Sequence, residues 1–166
     1  MKKSRILLAL ISLIIIASLL SGCTGAGTAT TTSWPGVTLD PEAGVGYVAH
    51  GSHVYAINLL NGSQTWRFPN EPVRNSTFDA PPAITGKGEI VFGGYDKKLY
   101  LVRADNGSQI WVNEDATNRY YARPLTIEQT IYAPNTDNHL YTVEDGLLKW
   151  DFESADALWA SPVTDG

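Results

Sequence analysis

The stretch HVYAINLLNGSQTW, His53–Trp66, decides the fold, because the chain writes it three times. It returns as KLYLVRADNGSQIW at Lys98–Trp111 and, two residues shorter, as HLYTVEDGLLKW at His139–Trp150. Each copy holds an apolar strand with a Tyr (Tyr55, Tyr100, Tyr141) and a turn with a Gly (Gly62, Gly107, Gly146). A Trp follows four residues after each Gly: Trp66, Trp111 and Trp150. The tyrosines are 45 and 41 residues apart. A period near 40 made of strands and turns predicts stacked β units. A unit that small cannot bury its own faces, so it must pack on its neighbours.

Further strands lie on either side of the phrase. Ahead of each Tyr strand comes another apolar run: Gly46–Ala49, Glu89–Phe92 and Thr130–Ala133. Ahead of that lies a Pro-marked stretch: Trp34–Thr38, Ala80–Thr85, Ala122–Thr126 and, a fourth time, Ala160–Thr164. Each unit therefore contains four strands. In the second they are predicted at Pro82–Thr85, Glu89–Phe92, Leu99–Arg103 and Gln109–Val112. No segment has a helical period, and Val, Ile, Tyr and Thr runs alternate with Gly, Asn, Asp and Pro clusters, as in all-β chains. Proline cannot donate to a ladder, so it belongs at a sheet edge or a strand start. Pro82, Pro124 and Pro162 accordingly mark the innermost strand. The pairs Asn61-Gly62 and Asn106-Gly107 predict positive φ at tight hairpin turns.

Four antiparallel strands per 40-odd residues describe a β-propeller blade. The expected fold is an all-β propeller with blades near 34–69, 78–114 and 121–153, and the first strand of a fourth at 159–166. Closed propellers have about four to eight blades. The expectation is therefore a fragment of a larger propeller, with self-assembly as the alternative if the chain is complete.

The N-terminus has a different character. Lys2, Lys3 and Arg5 precede an uncharged run, Ile6–Leu20, and then Ser21-Gly22. This pattern predicts a signal peptide over 1–22. The run has 15 residues, short of the ~20 that span a bilayer. Residues 24–33, TGAGTATTTS, are too small and polar to build a core, so 23–33 reads as a flexible tether and 34–166 as the folded domain. Without the signal, nine Lys and Arg face 17 Asp and Glu. That acidic balance argues against nucleic acid as a partner.

Leu20-Ser21-Gly22-Cys23 resembles the lipobox of bacterial lipoproteins. The resemblance implies lipidation of Cys23, the one cysteine of the chain. It also implies anchoring to a bacterial membrane outside the cytoplasm, at the cell surface or the periplasmic face. Tyr55-Ala56-Ile57-Asn58, with Gly62 and Trp66, resembles the PQQ-like repeat of quinoprotein-type β-propellers. That resemblance runs from Trp34 to the end and implies that each Trp stacks on the neighbouring blade near its turn Gly. The chain departs from the family pattern at Asn58, Arg103 and Glu144, where Asp is preferred.

Two kinds of function follow from the resemblance. The chain is similar to the propeller lipoprotein family of the outer-membrane β-barrel assembly machine, which uses such blades without PQQ. This implies a non-catalytic scaffold that binds an envelope protein. The alternatives are the N-terminal part of a PQQ-dependent dehydrogenase, or a ligand-sensing propeller. A dehydrogenase of that kind would demand a Ca²⁺ site, an acidic base and often adjacent cysteines. The chain has no cysteine pair, and its carboxylates have no calcium-loop spacing. Asp79, Asp96 and Asp137 are expected to satisfy local backbone at turns. No cofactor, metal or catalytic residue is therefore expected. His50 and His53, three apart on one strand, would face opposite sides and could not share a metal. They and His139 are read as turn or surface residues. Gly93-Gly94 reads as a strand turn, because no helix follows to cradle a phosphate. Finally, Trp34, Phe78, Tyr121 and Trp159 each precede a Pro-marked strand. They are read either as an aromatic surface at one mouth of the channel or as packing between blades.

Overall fold

The computed structural model describes residues 36–74 and 76–165. The signal segment, Cys23, the tether and Trp34 lie outside the described residues. Among the described residues twelve strands form three sheets of four, each a meander of antiparallel neighbours. Blade 1 comprises β1 (Gly36–Asp40), β2 (Val45–His50), β3 (His53–Asn58) and β4 (Gln64–Phe68). Blade 2 comprises β5 (Ala83–Ile84), β6 (Glu89–Gly93), β7 (Leu99–Arg103) and β8 (Gln109–Asn113). Blade 3 comprises β9 (Leu125–Ile127), β10 (Thr130–Pro134), β11 (His139–Glu144) and β12 (Leu147–Glu153). Pro82 and Pro124 stand just ahead of the edge strands β5 and β9, where a missing N–H costs no ladder bond. Ala160–Thr164, the expected fourth first strand, belongs to no sheet. No strand among the described residues pairs with it.

The register shows how the repeated Trp reaches its neighbour. In each blade the third and fourth strands slip by one residue at the same place: Ala56/Ile57, Leu101/Val102 and Thr142/Val143. The extra residue (Thr65, Ile110, Lys149) directly precedes the Trp. A bulge re-aims the side chain beside it and adds twist. Trp66, 7% exposed, lies on the turn of blade 2. A Cβ on Gly107 would stand 2.6 Å from its ring, and its indole N–H donates to the Ala104 carbonyl at 2.8 Å. Trp111 meets Gly146 in the same way, at 3.0 Å. Only glycine leaves this space, and each of these glycines also has a positive φ (70° and 80°).

The turns differ from expectation in one respect. Gly62 and Gly107 have positive φ, but Asn61 and Asn106 do not. Each Asn instead accepts a hydrogen bond on Oδ1 from the backbone two residues on, Ser63 and Ser108, at 2.9 Å. This is an Asx turn, a different use of the same residue. His50 and His53 are also placed differently. They flank the hairpin turn at Gly51 as direct cross-strand partners rather than lying on one strand. His53 is buried, not a surface residue. Burial, and then the charge of Arg67, hold its imidazole below the ordinary value.

Candidate functional site

The chain passes from one blade to the next through linkers on one face, the face that also carries the turns between the second and third strands. These linkers are fixed by main-chain hydrogen bonds that repeat from blade to blade. Phe78 N, Tyr120 N and Leu158 N donate to Gly51 O, Gly94 O and Asn135 O, on the turn of the blade just left. Tyr95 N and Thr136 N, on the turn of the blade being entered, donate to Thr77 O and Arg119 O. The two linkers between blades are thus each threaded between two turns, while the stretch after blade 3 is tied to the turn it leaves.

Side chains reinforce the threading. Asp96 accepts from the Tyr100 hydroxyl (2.6 Å) and from Ser76 of the linker (2.9 Å). Asp137 accepts from the Tyr141 hydroxyl (2.8 Å) and from Thr117 N of the next linker (2.7 Å). The repeated Tyr therefore has a second role beyond its strand. Burial, and then the bond to its carboxylate, push the phenols of Tyr100 and Tyr141 above their ordinary values. Asp137 is held below its usual value. Burial pushes its carboxyl up, but four donors outweigh that: Thr117 N, the Tyr141 hydroxyl, His139 N and the Thr117 hydroxyl.

The linkers also separate the recurring aromatics into two sets. Counted back from the Pro of the first strand, Phe78, Tyr120 and Leu158 stand four before it, while Asp79, Tyr121 and Trp159 stand three before. Phe78 and Tyr120 point inward and are fully buried. Phe78 meets Phe68, Phe92 and Tyr100 edge-on, with centroids at 6.2, 5.4 and 5.7 Å. Tyr120 lies on Gly93, where a Cβ would stand 2.2 Å from it. Phe78 is thus a packing residue of the blade 1–2 seam and does not belong to an exposed row. Gly93-Gly94 makes room for both aromatics: a Cβ on Gly94 would stand 3.1 Å from the Phe78 ring.

The outward set forms a continuous row. Tyr95, on the blade 2 turn, meets Tyr121 with centroids at 4.7 Å. Tyr121 meets Trp159 at 4.9 Å, and Trp159 is 63% exposed. The guanidinium of Arg119 stands 5.3 Å over the Tyr95 ring, a cation–π distance. At the other end of Tyr95 lies Asp79, whose two carboxylate oxygens are buried and lack a hydrogen bond of ordinary geometry. Burial, and then the charge of Asp79, raise the Tyr95 phenol. Tyr95 was not legible from the repeat, because Ser52 and Thr136 occupy the corresponding region in the other blades.

The inner strands and the 161–164 stretch border an open cavity of about 520 Å³, lined by Val37, Ala83, Leu125 and Pro162 among others. Among the described residues no group of three or more His, Cys, Asp or Glu could hold a metal ion. Asp96 and Asp137 are already engaged by the linkers.

Comparison with known proteins agrees with this architecture. No curated protein matches the chain by sequence. The solved structure of BamB from Moraxella catarrhalis is similar over 71% of this chain and 36% of its own, with 20% identity and a TM-score of 0.59. The WD40 repeats of RRP9 and the protein U3-55K are each similar over 78% of this chain and 42% of theirs, with 12% identity and a TM-score of 0.68. At these identities the likeness is one of fold. The chain spans under half the length of any of the three. A family model described as outer membrane protein assembly factor BamB matches residues 50–164. With its three four-stranded blades and Trp-on-Gly seams, the chain belongs to the PQQ-repeat propeller family of that assembly factor.

Proposed function

We propose that this chain is a lipid-anchored, extracytoplasmic scaffold that binds an envelope protein and carries out no catalysis of its own. In this reading residues 1–22 are a signal peptide and Cys23 carries the lipid. Residues 23–33 are the tether, and 34–166 present the propeller surface. The observation that carries the proposal is the row Tyr95–Tyr121–Trp159 with Arg119, on the linker face of a BamB-family chain. Aromatic and Arg side chains dominate protein interfaces because they bury much area for little lost freedom. Main-chain ties hold the linker of Tyr121 to two turns and the residue before Trp159 to one, so little ordering cost falls on binding.

The test is cross-linking in the membrane fraction, with wild type compared against Trp159→Ala and Tyr121→Ala. A β-barrel assembly protein should be recovered with the wild type. Truncating a central aromatic anchor should weaken its recovery about 30-fold, with the melting temperature unchanged for the exposed Trp159. Equal recovery from all three proteins, or recovery of no envelope protein, would overturn the reading. Cys23→Ser should release the chain from the membrane fraction.

A further inference from the structure

Along Arg119–Arg123, in the linker between blades 2 and 3, burial alternates as it does in an extended chain. Tyr120 and Ala122 are buried, Arg119 and Arg123 are exposed, and Tyr121 is half-buried between them. Alternate residues of an extended chain share one side. Arg119, Tyr121 and Arg123 therefore form an outward comb, a ring between two guanidiniums. A blade stands on either side of this comb. Tyr120 N donates to Gly94 O of the blade before, and Thr136 N of the blade after donates to Arg119 O.

The fold does not ask for these cations. Counted back from the first-strand Pro, the same two positions hold Thr77 and Pro81 in one copy, and Ala157 and Ser161 in the other. Phe78 N and Leu158 N still make the main-chain bond that Tyr120 N makes. The cations are not neutralised within the chain either. Neither guanidinium pairs with a carboxylate among the described residues. Arg119 lies over the Tyr95 ring at 5.3 Å, a contact that leaves its N–H donors unspent on any anion. The acids of this stretch are taken: Asp96 by Tyr100 and Ser76, Glu114 by Lys98, Asp115 by Asn113. Asp79, beside Tyr95, has both carboxylate oxygens buried. On a chain with 17 Asp and Glu against 12 Lys and Arg, two unpaired guanidiniums on one linker are a local exception.

We propose that the comb takes an acidic, extended segment of the partner protein, with carboxylates on Arg119 and Arg123 and the chain between them across Tyr121 and Trp159. This rests on the scaffold reading above and adds the chemistry of the partner. A guanidinium meets a carboxylate through two parallel hydrogen bonds, which fixes orientation as well as charge. The Cα atoms of Arg119 and Arg123 are at most ~14 Å apart. An extended segment with two carboxylates about four residues apart spans that distance. An anionic lipid surface fits less well, because membrane sites of this kind gather about four to eight Lys and Arg.

The experiment is a titration of the full chain in detergent, read by NMR at the side-chain N–H groups of Arg119 and Arg123 and at the Trp159 indole. The probe is hexaglutamate, with hexalysine and phosphatidylglycerol mixed into the detergent as comparisons. Hexaglutamate should move these resonances and hexalysine should not, and raising the salt from about 0.05 M to about 0.5 M should weaken the response. Arg119→Gln and Arg123→Gln should each weaken hexaglutamate binding at least about 10-fold. Both residues are exposed, so the melting temperature should hold. Arg123→Gln keeps the test open if Arg119→Gln disturbs Tyr95. No response to hexaglutamate, or equal affinity in wild type and both variants, overturns the proposal. A response to phosphatidylglycerol alone overturns it too, by assigning the cations to a membrane. Cross-linking in the membrane fraction separates this proposal from the scaffold reading. If Trp159→Ala loses the envelope protein and the double Arg variant keeps it, the scaffold reading stands and the acidic segment falls. If wild type recovers no envelope protein, the scaffold reading falls, and the titration still decides whether the comb holds carboxylates.

Discussion

Between blades 1 and 2 the seam is filled with rings. Phe68 stands among Phe78, Phe92 and Tyr100, with centroids at 6.2, 5.5 and 5.2 Å. Between blades 2 and 3 the equivalent space is filled by Val91, Leu99, Leu101, Ile131 and Val143 together with Tyr120 and Tyr141, with polar ties at its edge. Asn113 takes the position of Phe68 and donates to Gly146 O at 3.2 Å and to Asp115 at 2.6 Å. Asn135 takes the position of Gly94 and donates to Asn118 O at 3.0 Å. Thr136 donates from its hydroxyl to Arg119 O at 2.8 Å. Both seams keep the Trp-on-Gly contact and the threaded linker. The difference shows that backbone threading and the Trp contact define the blade-to-blade geometry, while the filling is free to be aromatic or mixed. It also gives the seams different weaknesses, packing in one and polar satisfaction in the other.

The sharpest way to break the aromatic seam is Phe78→Ala. It opens a cavity among three rings and should cost about 3–5 kcal/mol, read as a lower urea midpoint. The polar seam should respond to Asn135→Ala. That change leaves Asn118 O and Asp137 N without their partner inside a buried turn, at a cost of about 1–3 kcal/mol. If the comparison holds, amide exchange would quicken at Tyr95 for the first variant and at Thr136 for the second. Equal loss of protection at both sites in either variant would mean that the seams are not separable.

A smaller, pH-dependent effect separates them further. Asp137 titrates lower in the folded chain than in the unfolded one, where a carboxyl loses its proton near ~3.9. Its stabilisation is therefore complete above that value and is lost as pH falls through the lower folded value. Below about pH 4, protection of the Thr117 amide should drop in wild type, and Asp137→Asn should flatten that dependence. A wild-type profile identical to that of Asp137→Asn would remove Asp137 from the account.

The strands were legible because three copies of one pattern over-determine them. Glu89–Phe92 and Leu99–Arg103 were placed within a residue of β6 and β7. The bulge before each Trp was not legible, since an unpaired residue is visible only once the register is known. Within the candidate site, Tyr121 and Trp159 were found by their type and their nearness to proline. Reading by type also drew in Phe78, which a count of offsets from Pro82, Pro124 and Pro162 would have set apart with Tyr120. The partners of the turn carboxylates were hidden for a different reason. Asp96 and Asp137 reach residues about 20 positions earlier in the chain, Ser76 and Thr117, and no local pattern records such a reach.

The threaded linkers bear on how such a chain tolerates change over generations. Each of the two between blades holds on to the turn it leaves, and the next turn holds on to it, through main-chain groups that any non-proline residue supplies. The tilt from one blade to the next is thus anchored in atoms that substitution at most positions does not alter. Seam side chains can drift from rings to amides while the curvature of the stack stays constant. A lengthened linker is another matter. One inserted residue between Thr77 and Phe78 would put two anchored groups out of step at once, and the angle between the two blades would change.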